Sequence, residues 1–456
     1  MSNATGVKPD GPTAILAGFV TRTEYSDLPE AVRERAKDCL LDWIGSAFAG
    51  KGTPTDRVTA PVVRELGGPG RATLIGSGAS ATPALAALYN GTISAVMEID
   101  DVHELVSLHP GIGIIPAALA MAEEAGSPGR DFLTAVVVGY DVAVRVARAA
   151  GESHYRCWHS TGTCDSFGAA AAAGRLLRLD AERLLMALGL AGTQAAGLWE
   201  SINGPAVGAK HLHSGKAAFT GVLSALLARS GLRGSATILE GEKGFLASTS
   251  SATAEDRAVL TQDLGRPFLI LRNFFKKYAC CKACIEGIDG IIRLLARERL
   301  QPAEIARVTV TLKPDNVWLV GNPHPQDAYQ AKFSLPFCVA LAAVTGGASV
   351  HDFRDEMLRD PRIQEWMRRV EVRGDPDLRV RARMVVHRAD GETCSIEPPL
   401  SSLTSSEVRE KFVAVVRPLM RPRRIGQILD CVGRLEHLED IHELTRILRR
   451  GIAWRT

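Results

Sequence analysis

The sequence predicts a mostly α protein, a large all-helical domain built from both chain ends with a smaller α+β domain inserted in it. Three observations carry this reading. From Thr13 to about Leu264, apolar residues recur at three- and four-residue spacing, with no long alternating stretch. Past Gly265-Arg266-Pro267, short runs appear in which apolar and polar residues alternate. Beyond Pro398-Pro399 and the Ser/Thr cluster from Ser401 to Ser406, helical spacing returns. The expected division is therefore 1–265 for the first helical part, 266–397 for the α+β domain and 398–456 for the second helical part. A chain of 456 residues has room for two or three domains and a large core.

The elements follow in order. Asp27 can cap a helix with Pro29 in its first turn. Val32, Ala36, Cys39, Leu40, Trp43, Ile44, Ala47 and Phe48 then draw one buried stripe, which Gly50 ends. Further helices are expected around 83–97, 111–125, 130–150, 165–178, 181–196 and 215–231. In the middle region one helix is expected at about 283–298 and a second at 327–345. Between them, Val308, Val310 and Leu312 alternate as a strand does. Val370 and Val372 open another strand, and Asp390-Gly391 marks a tight hairpin turn within 380–396.

Composition narrows the function. The chain is 46% hydrophobic and 23% charged, which excludes disorder for its bulk. Its 54 basic and 51 acidic residues leave a net charge of +3, too balanced for a nucleic-acid or membrane-surface protein. The uncharged run Phe333 to Val350 contains Pro336 and Gly346-Gly347 and reads as buried helix and turn, not a membrane span. Nine cysteines without paired spacing, and an N-terminal stretch without a basic leader, point to reduced thiols in a cytoplasmic protein. Aromatics are only 5% against 43 glycines, a balance that favours close helix packing.

Four constellations could carry chemistry. Glu98-Ile-Asp100-Asp101-Val-His103-Glu104 runs on to His109-Pro110 between two apolar helices. His103 and His109 are six apart and would not share a helical face, so a loop must gather them. Taken alone, the run reads equally as a solvated loop, and it has no recognisable metal-ligand spacing. His159-Ser160-Thr161 stands ahead of Asp165, an N-cap candidate before a small-residue helix. In Lys210-His211-Leu212-His213-Ser214-Gly215, Ser214 can cap the helix that follows. Each of these is individually compatible with a purely structural role. Their repetition matters more, because helix N-termini attract anions and flanking cations would build a pocket for several carboxylates. The fourth is Lys276-Lys277-Tyr278-Ala279-Cys280-Cys281-Lys282-Ala283-Cys284, whose thiols lack the second pair that zinc would need. Gly111-Ile-Gly113-Ile-Ile-Pro116 lacks the third glycine of a dinucleotide fingerprint, and no Walker A run or Gly-x-Ser-x-Gly elbow occurs.

At these residues the sequence resembles the MmgE/PrpD family, which includes 2-methylcitrate dehydratase, cis-aconitate decarboxylase and iminodisuccinate epimerase. The resemblance runs through Asp42-Trp43-Ile44-Gly45, the acidic loop to His109-Pro110, His159-Ser-Thr and Lys210-x-x-His213-x-Gly215. It continues through Glu240-Gly241-x-x-Gly244-Phe245, Lys276-x-Tyr278 and Ala331-Lys-Phe333-Ser334-Leu-Pro336. It implies a helical domain with an α+β lid, a homodimer, and a site between the domains that needs no cofactor and no metal.

The family's catalytic positions fall on Glu98, His109, His159, Lys210 and Lys276. Two departures stand out. Cys281 occupies the place where decarboxylase members carry a histidine, and Cys284-Ile285 the place of a Thr-His pair in many dehydratases. The resulting expectation is a cofactor-independent lyase or isomerase that removes a proton next to a carboxylate of a small polycarboxylate. Elimination of water leads, with epimerisation and decarboxylation as alternatives and a non-catalytic scaffold as the competing class. His159 is the expected general base, with His109 as partner acid or orienting group beside Glu98. Lys210 and His213 would hold carboxylates, with Asp101, His103, Lys276 and Tyr278 as further binding residues.

Overall fold

The computed structural model describes residues 10–202 and 207–452. The chain divides into two compact units, one of residues 1–96, 100–274 and 404–456, the other of 97–99 and 275–403.

The first unit is helical. Up to Arg229 its helices are α1 (Pro12–Arg22), α2 (Glu30–Ala49), α3 (Pro54–Leu66), α4 (Pro83–Ser94), α5 (Pro110–Ala125), α6 (Gly129–Tyr155), α7 (Ser160–Leu176), α8 (Ala181–Gly192) and α9 (Val207–Arg229). Helix α7 is the hub, packing against α5, α6, α8 and α9, while α9 also lies along α4. Half of the buried residues of α7 are alanine or glycine, so its neighbours come very close. A Cβ on Gly168 would stand 2.6 Å from the Gly139 carbonyl oxygen of α6. One on Gly215 would overlap Thr92 Oγ1 and the Leu88 carbonyl of α4. Two-residue strands β1 (Val102–His103) and β2 (Asn273–Phe274) pair antiparallel, which keeps the chain in this unit through Phe274 rather than only to the expected 265.

The second unit is α+β. Helix α10 (Lys282–Glu298) and helix α11 (Leu335–Thr345) pack together. Its sheet has the order β4-β3-β5-β6, from β3 (Ile305–Leu312), β4 (Val370–Gly374), β5 (Arg383–Arg388) and β6 (Thr393–Ile396). β3 runs parallel to β4 and antiparallel to β5, and Val308, Val310 and Leu312 are buried as their alternation predicts. The β5–β6 hairpin turns at Gly391, whose φ of 92° suits glycine. The chain returns to the first unit at α12 (Ser405–Val416), which packs on α2 with Lys411 Nζ 2.6 Å from Asp42 Oδ1.

Several element starts differ from expectation. Asp27 does not cap α2; it closes a 3₁₀ turn, its carboxylate accepting the Glu24 N–H, and Pro29 precedes the helix. Helix α7 begins at Ser160, so Asp165 is interior and His159 takes the N-cap position. Helix α9 begins at Val207, so Lys210 and His213 lie inside it. Ser214 is no cap: its hydroxyl donates to the carbonyls of His211 and Gly91, tying α9 to α4. The expected helix at 327–345 is broken, because Ser334 starts α11 afresh by accepting the Phe337 N–H. No helix among the described residues is long and apolar enough to cross a membrane.

The contact at Gly215 gives a direct test. Gly215→Ala forces α9 off α4 and is expected to destabilise by about 2 kcal/mol or more. Gly426→Ala, in a helix with open space around it, should be neutral or stabilising by up to about 1 kcal/mol. Thermal unfolding of the two variants reads the contrast, and equal melting temperatures would contradict the close approach.

Candidate active site

In the first unit three histidines converge. His109 is the N-cap of α5, its backbone N–H donating to Thr161 Oγ1 at 3.1 Å. Pro110 sets the backbone of the first turn, where a missing N–H costs nothing. The His109 Nδ1 lies 2.7 Å from Asp100 Oδ2 and 2.9 Å from the Asp101 carbonyl oxygen. Both neighbours are acceptors, so Nδ1 carries the proton and Nε2 keeps the lone pair. The ring is partly exposed, at 15%.

His159 is the N-cap of α7, with its N–H donating to the Gly197 carbonyl at 2.8 Å. Its ring centre lies 6.4 Å from that of His109, 5.3 Å from that of His213 and 4.6 Å from that of Trp199. His159 Nδ1 and His213 Nδ1 stand 3.1 Å apart, a contact that takes one proton between two neutral rings. His159 Nε2 is buried without a hydrogen-bond partner among the described residues.

The electrostatics divide the two N-cap histidines. Burial drives His159 well below the usual histidine value, and the nearby Lys210, His213 and His109 push the same way. Burial and then Lys210 and Lys216 take His213 down to about 4. His159 and His213 are therefore neutral at pH 7. His109, by contrast, has the Asp100 carboxylate at its Nδ1. Lys210 is 4% exposed and acts on both neutral histidines.

The other expected residues fall as follows. Asp101 is buried beneath α5. Its Oδ1 accepts the Gly111 N–H at 3.0 Å, and its Oδ2 accepts from Tyr140 at 2.7 Å and Asn273 at 2.6 Å. Burial, with Asp42 and Asp100 near, raises it to about 7. The first turn of α5 thus already carries a carboxylate. His103 is fully buried; its Nδ1 accepts the Leu105 N–H and its Nε2 meets the Leu269 carbonyl at 3.0 Å. Those bonds tie the ring to backbone groups of the core. In the second unit, Lys276 Nζ lies 3.4 Å from Glu98 Oε2, both groups buried, and Tyr278 donates to Asp289 at 2.7 Å. Glu98 takes a φ of 54°, in the region that favours glycine.

Two participants were not singled out from the sequence. Asp100 was one of several carboxyls in an acidic run, and only its place opposite His109 distinguishes it. Trp199, some forty residues from His159, carries no local signal of that contact. Of the three expected anion-binding helix starts, α5 and α7 begin at their histidines, His109 and His159, whereas Lys210 and His213 lie inside α9.

Comparison with known proteins gives matches over most of the chain. The model of the MmgE/PrpD N-terminal domain matches residues 14–257, and that of the MmgE/PrpD C-terminal domain matches residues 278–434. The cis-aconitate decarboxylase-like protein oryM of Aspergillus oryzae is 28% identical, over 97% of this chain and 98% of the relative. Cis-aconitate decarboxylase of Aspergillus terreus is 26% identical over 96% of each chain. Human cis-aconitate decarboxylase is 26% identical over 96% of this chain and 94% of its own.

The neutral His213 has a consequence for stability. Between pH 6.5 and about 4 the unfolded chain protonates this histidine and the native one does not. Unfolding therefore takes up a proton there, and the stability contribution is lost as pH falls through that window. Replacing His213 by Asn removes the loss. The variant's melting temperature relative to wild type is expected to rise by about 2 °C or more between pH 7.5 and 4.5. A difference that stays flat with pH would mean that His213 is charged in the native protein.

Proposed function

The chain belongs to the MmgE/PrpD family, and from that premise we propose that it is a lyase acting on a small di- or tricarboxylate. The reaction removes a proton from the carbon next to a carboxylate and eliminates water. The observation that carries the proposal is the Asp100–His109 contact at 2.7 Å. A carboxylate at Nδ1 fixes the ring and supports the imidazolium that forms when Nε2 takes a proton. The base role, which the sequence assigned to His159, is better supported at His109. His159 is desolvated and faces cations, so protonating it is unfavourable.

His159 and His213 serve instead as a neutral pair sharing a proton. One ring donates a hydrogen bond to the departing hydroxyl, and Lys210 holds a carboxylate as negative charge builds on it. The electrons of the broken C–H bond form the new double bond, the C–O bond breaks, and hydroxide leaves as water with the proton that His109 took from carbon. A second reading, decarboxylation, is favoured by the relatives' names. Cys281 argues against it: burial raises its thiol to about 12, and it stands where the resemblance puts a histidine.

Incubation with a panel of polycarboxylates in D₂O, followed by NMR, tests the reading. A new alkene with loss of water is the expected result. Deuterium uptake without net change would point to epimerisation, and carbon dioxide release to decarboxylation. His109→Gln should lower turnover about 10²-fold or more with little change in KM, and Asp100→Asn about 10-fold or more. Lys210→Ala should chiefly raise KM. Silence across the panel would remove the lyase reading, and full turnover in His109→Gln would return the base role to His159.

A further inference from the structure

We propose that Arg145, Arg148 and Arg266 form a binding site for a phosphate group within the first unit, separate from the histidine cluster. The three arginines and Asp263 line a cavity of about 160 Å³, to which no residue of that cluster contributes. Arg145 is the fixed part of the site. It sits on α6 at 2% exposure, and its Nε donates to Asp141 Oδ1 at 2.7 Å. Asp141 is itself held, since its Oδ2 accepts the Leu269 N–H at 2.9 Å. Arg145 Nη1 donates to the carbonyls of Val259 and Gln262, and Nη2 to that of Asp263 at 3.1 Å. Together these bonds use four of the five N–H donors of a guanidinium. One N–H of Nη2 is left over, on a buried side chain that lines the cavity. Because the group is already ordered, a ligand meeting it there pays little for orienting it.

Arg148 and Arg266 supply the charge. Arg148 lies three residues beyond Arg145, on the same face of α6. Glu152 stands at the spacing that would pair with it, but Gly151, with a φ of 66°, breaks the helical path between them. Arg266 comes from the turn in which its backbone N–H donates to the Asp263 carbonyl at 3.0 Å. Neither guanidinium has a hydrogen bond or an ion pair among the described residues, and the Asp263 carboxylate pairs with neither. Arg145 and Asp141 cancel, so the lining holds two positive charges, from Arg148 and Arg266, against one negative charge, from Asp263. Guanidiniums from α6 and from the turn suit an anion whose oxygens point in several directions. A tetrahedral phosphate has that shape and a planar carboxylate does not. The cavity is several times the roughly 30 Å³ that one water takes up in the liquid, which admits such a group. Inorganic phosphate and the end of a phosphomonoester share this chemistry.

Calorimetric titration of the full-length protein with inorganic phosphate, and separately with glycerol 3-phosphate, tests the site at constant ionic strength. Wild type should bind one phosphate per chain. Binding of phosphate alone would mark the free ion as the ligand, and binding of both a phosphomonoester end; either supports the site. Arg148→Gln and Arg266→Gln should each bind about 10-fold or more weakly. Their melting temperatures without phosphate should stay within about 2 °C of wild type, because neither side chain makes a bond that the substitution removes. Lys210→Ala should keep the wild-type affinity. Loss of binding in Lys210→Ala with both arginine variants unaffected would place the phosphate among the histidines and overturn the site. Unchanged affinity in both arginine variants, or no binding by wild type, would also overturn it and leave the lyase reading standing. Collapse of the fold in both variants would show the two arginines to be structural and remove the site as well.

Discussion

Close approach of small-residue helices is the constraint on which the histidine cluster depends. α9 meets α4 where Gly215 and Gly91 face each other, a Cβ on Gly91 standing 2.8 Å from the Gly215 Cα. α7 meets α6 in the same way at Gly168 and Gly139. Helices this close exclude side chains from the contact, so dispersion comes from backbone against backbone. The imidazoles of the cluster stand at helix starts and on α9. His109 and His159 occupy two such starts, and His213 reaches them from its position inside α9. Widening either contact by a methyl group would move an imidazole by an amount that matters to a proton transfer.

How much of this was legible depends on which physical signal each residue leaves. The fold class follows from periodicity, and the apolar spacing of α2 and the alternation of β3 are read directly from the chain. Helix starts were harder. Ser214 has the chemistry of a cap, but its hydroxyl is taken by two carbonyls, one of them on α4, and α9 runs on toward Val207. That second partner lies 123 residues away and leaves no local trace. The division of the chain moves to Phe274 for a similar reason, since β2 pairs with β1 far upstream. At the site, histidines and lysines announce themselves by type, whereas Asp100 stands among other carboxyls.

The second unit shows what the acidic loop does at its other end. Glu98 belongs with residues 275–403 although Asp100, two residues on, belongs with the helical unit. Its left-handed backbone costs roughly 1–3 kcal/mol for a residue that is not glycine, and such strain persists only where surrounding contacts hold it. One such contact is the buried Lys276. One short run of sequence thus supplies Asp100 to His109 in one unit and Glu98 to Lys276 in the other.

The proton economy of the proposed reaction follows from the same charges. Elimination of water takes a proton from carbon and gives one to oxygen. Asp100 Oδ2 lies 2.7 Å from His109 Nδ1, while burial and Lys210 hold His159 in its neutral form. Two groups of one chemical kind, held 6.4 Å apart between ring centres, thus meet a carboxylate at one ring and cations at the other. The first suits a ring that takes a proton and passes it on, the second a ring that only donates a hydrogen bond. Decarboxylation would use the first less fully, because the electrons come from a C–C bond and no base has to act first. The split environment is therefore a physical argument for chemistry that begins with a proton leaving carbon.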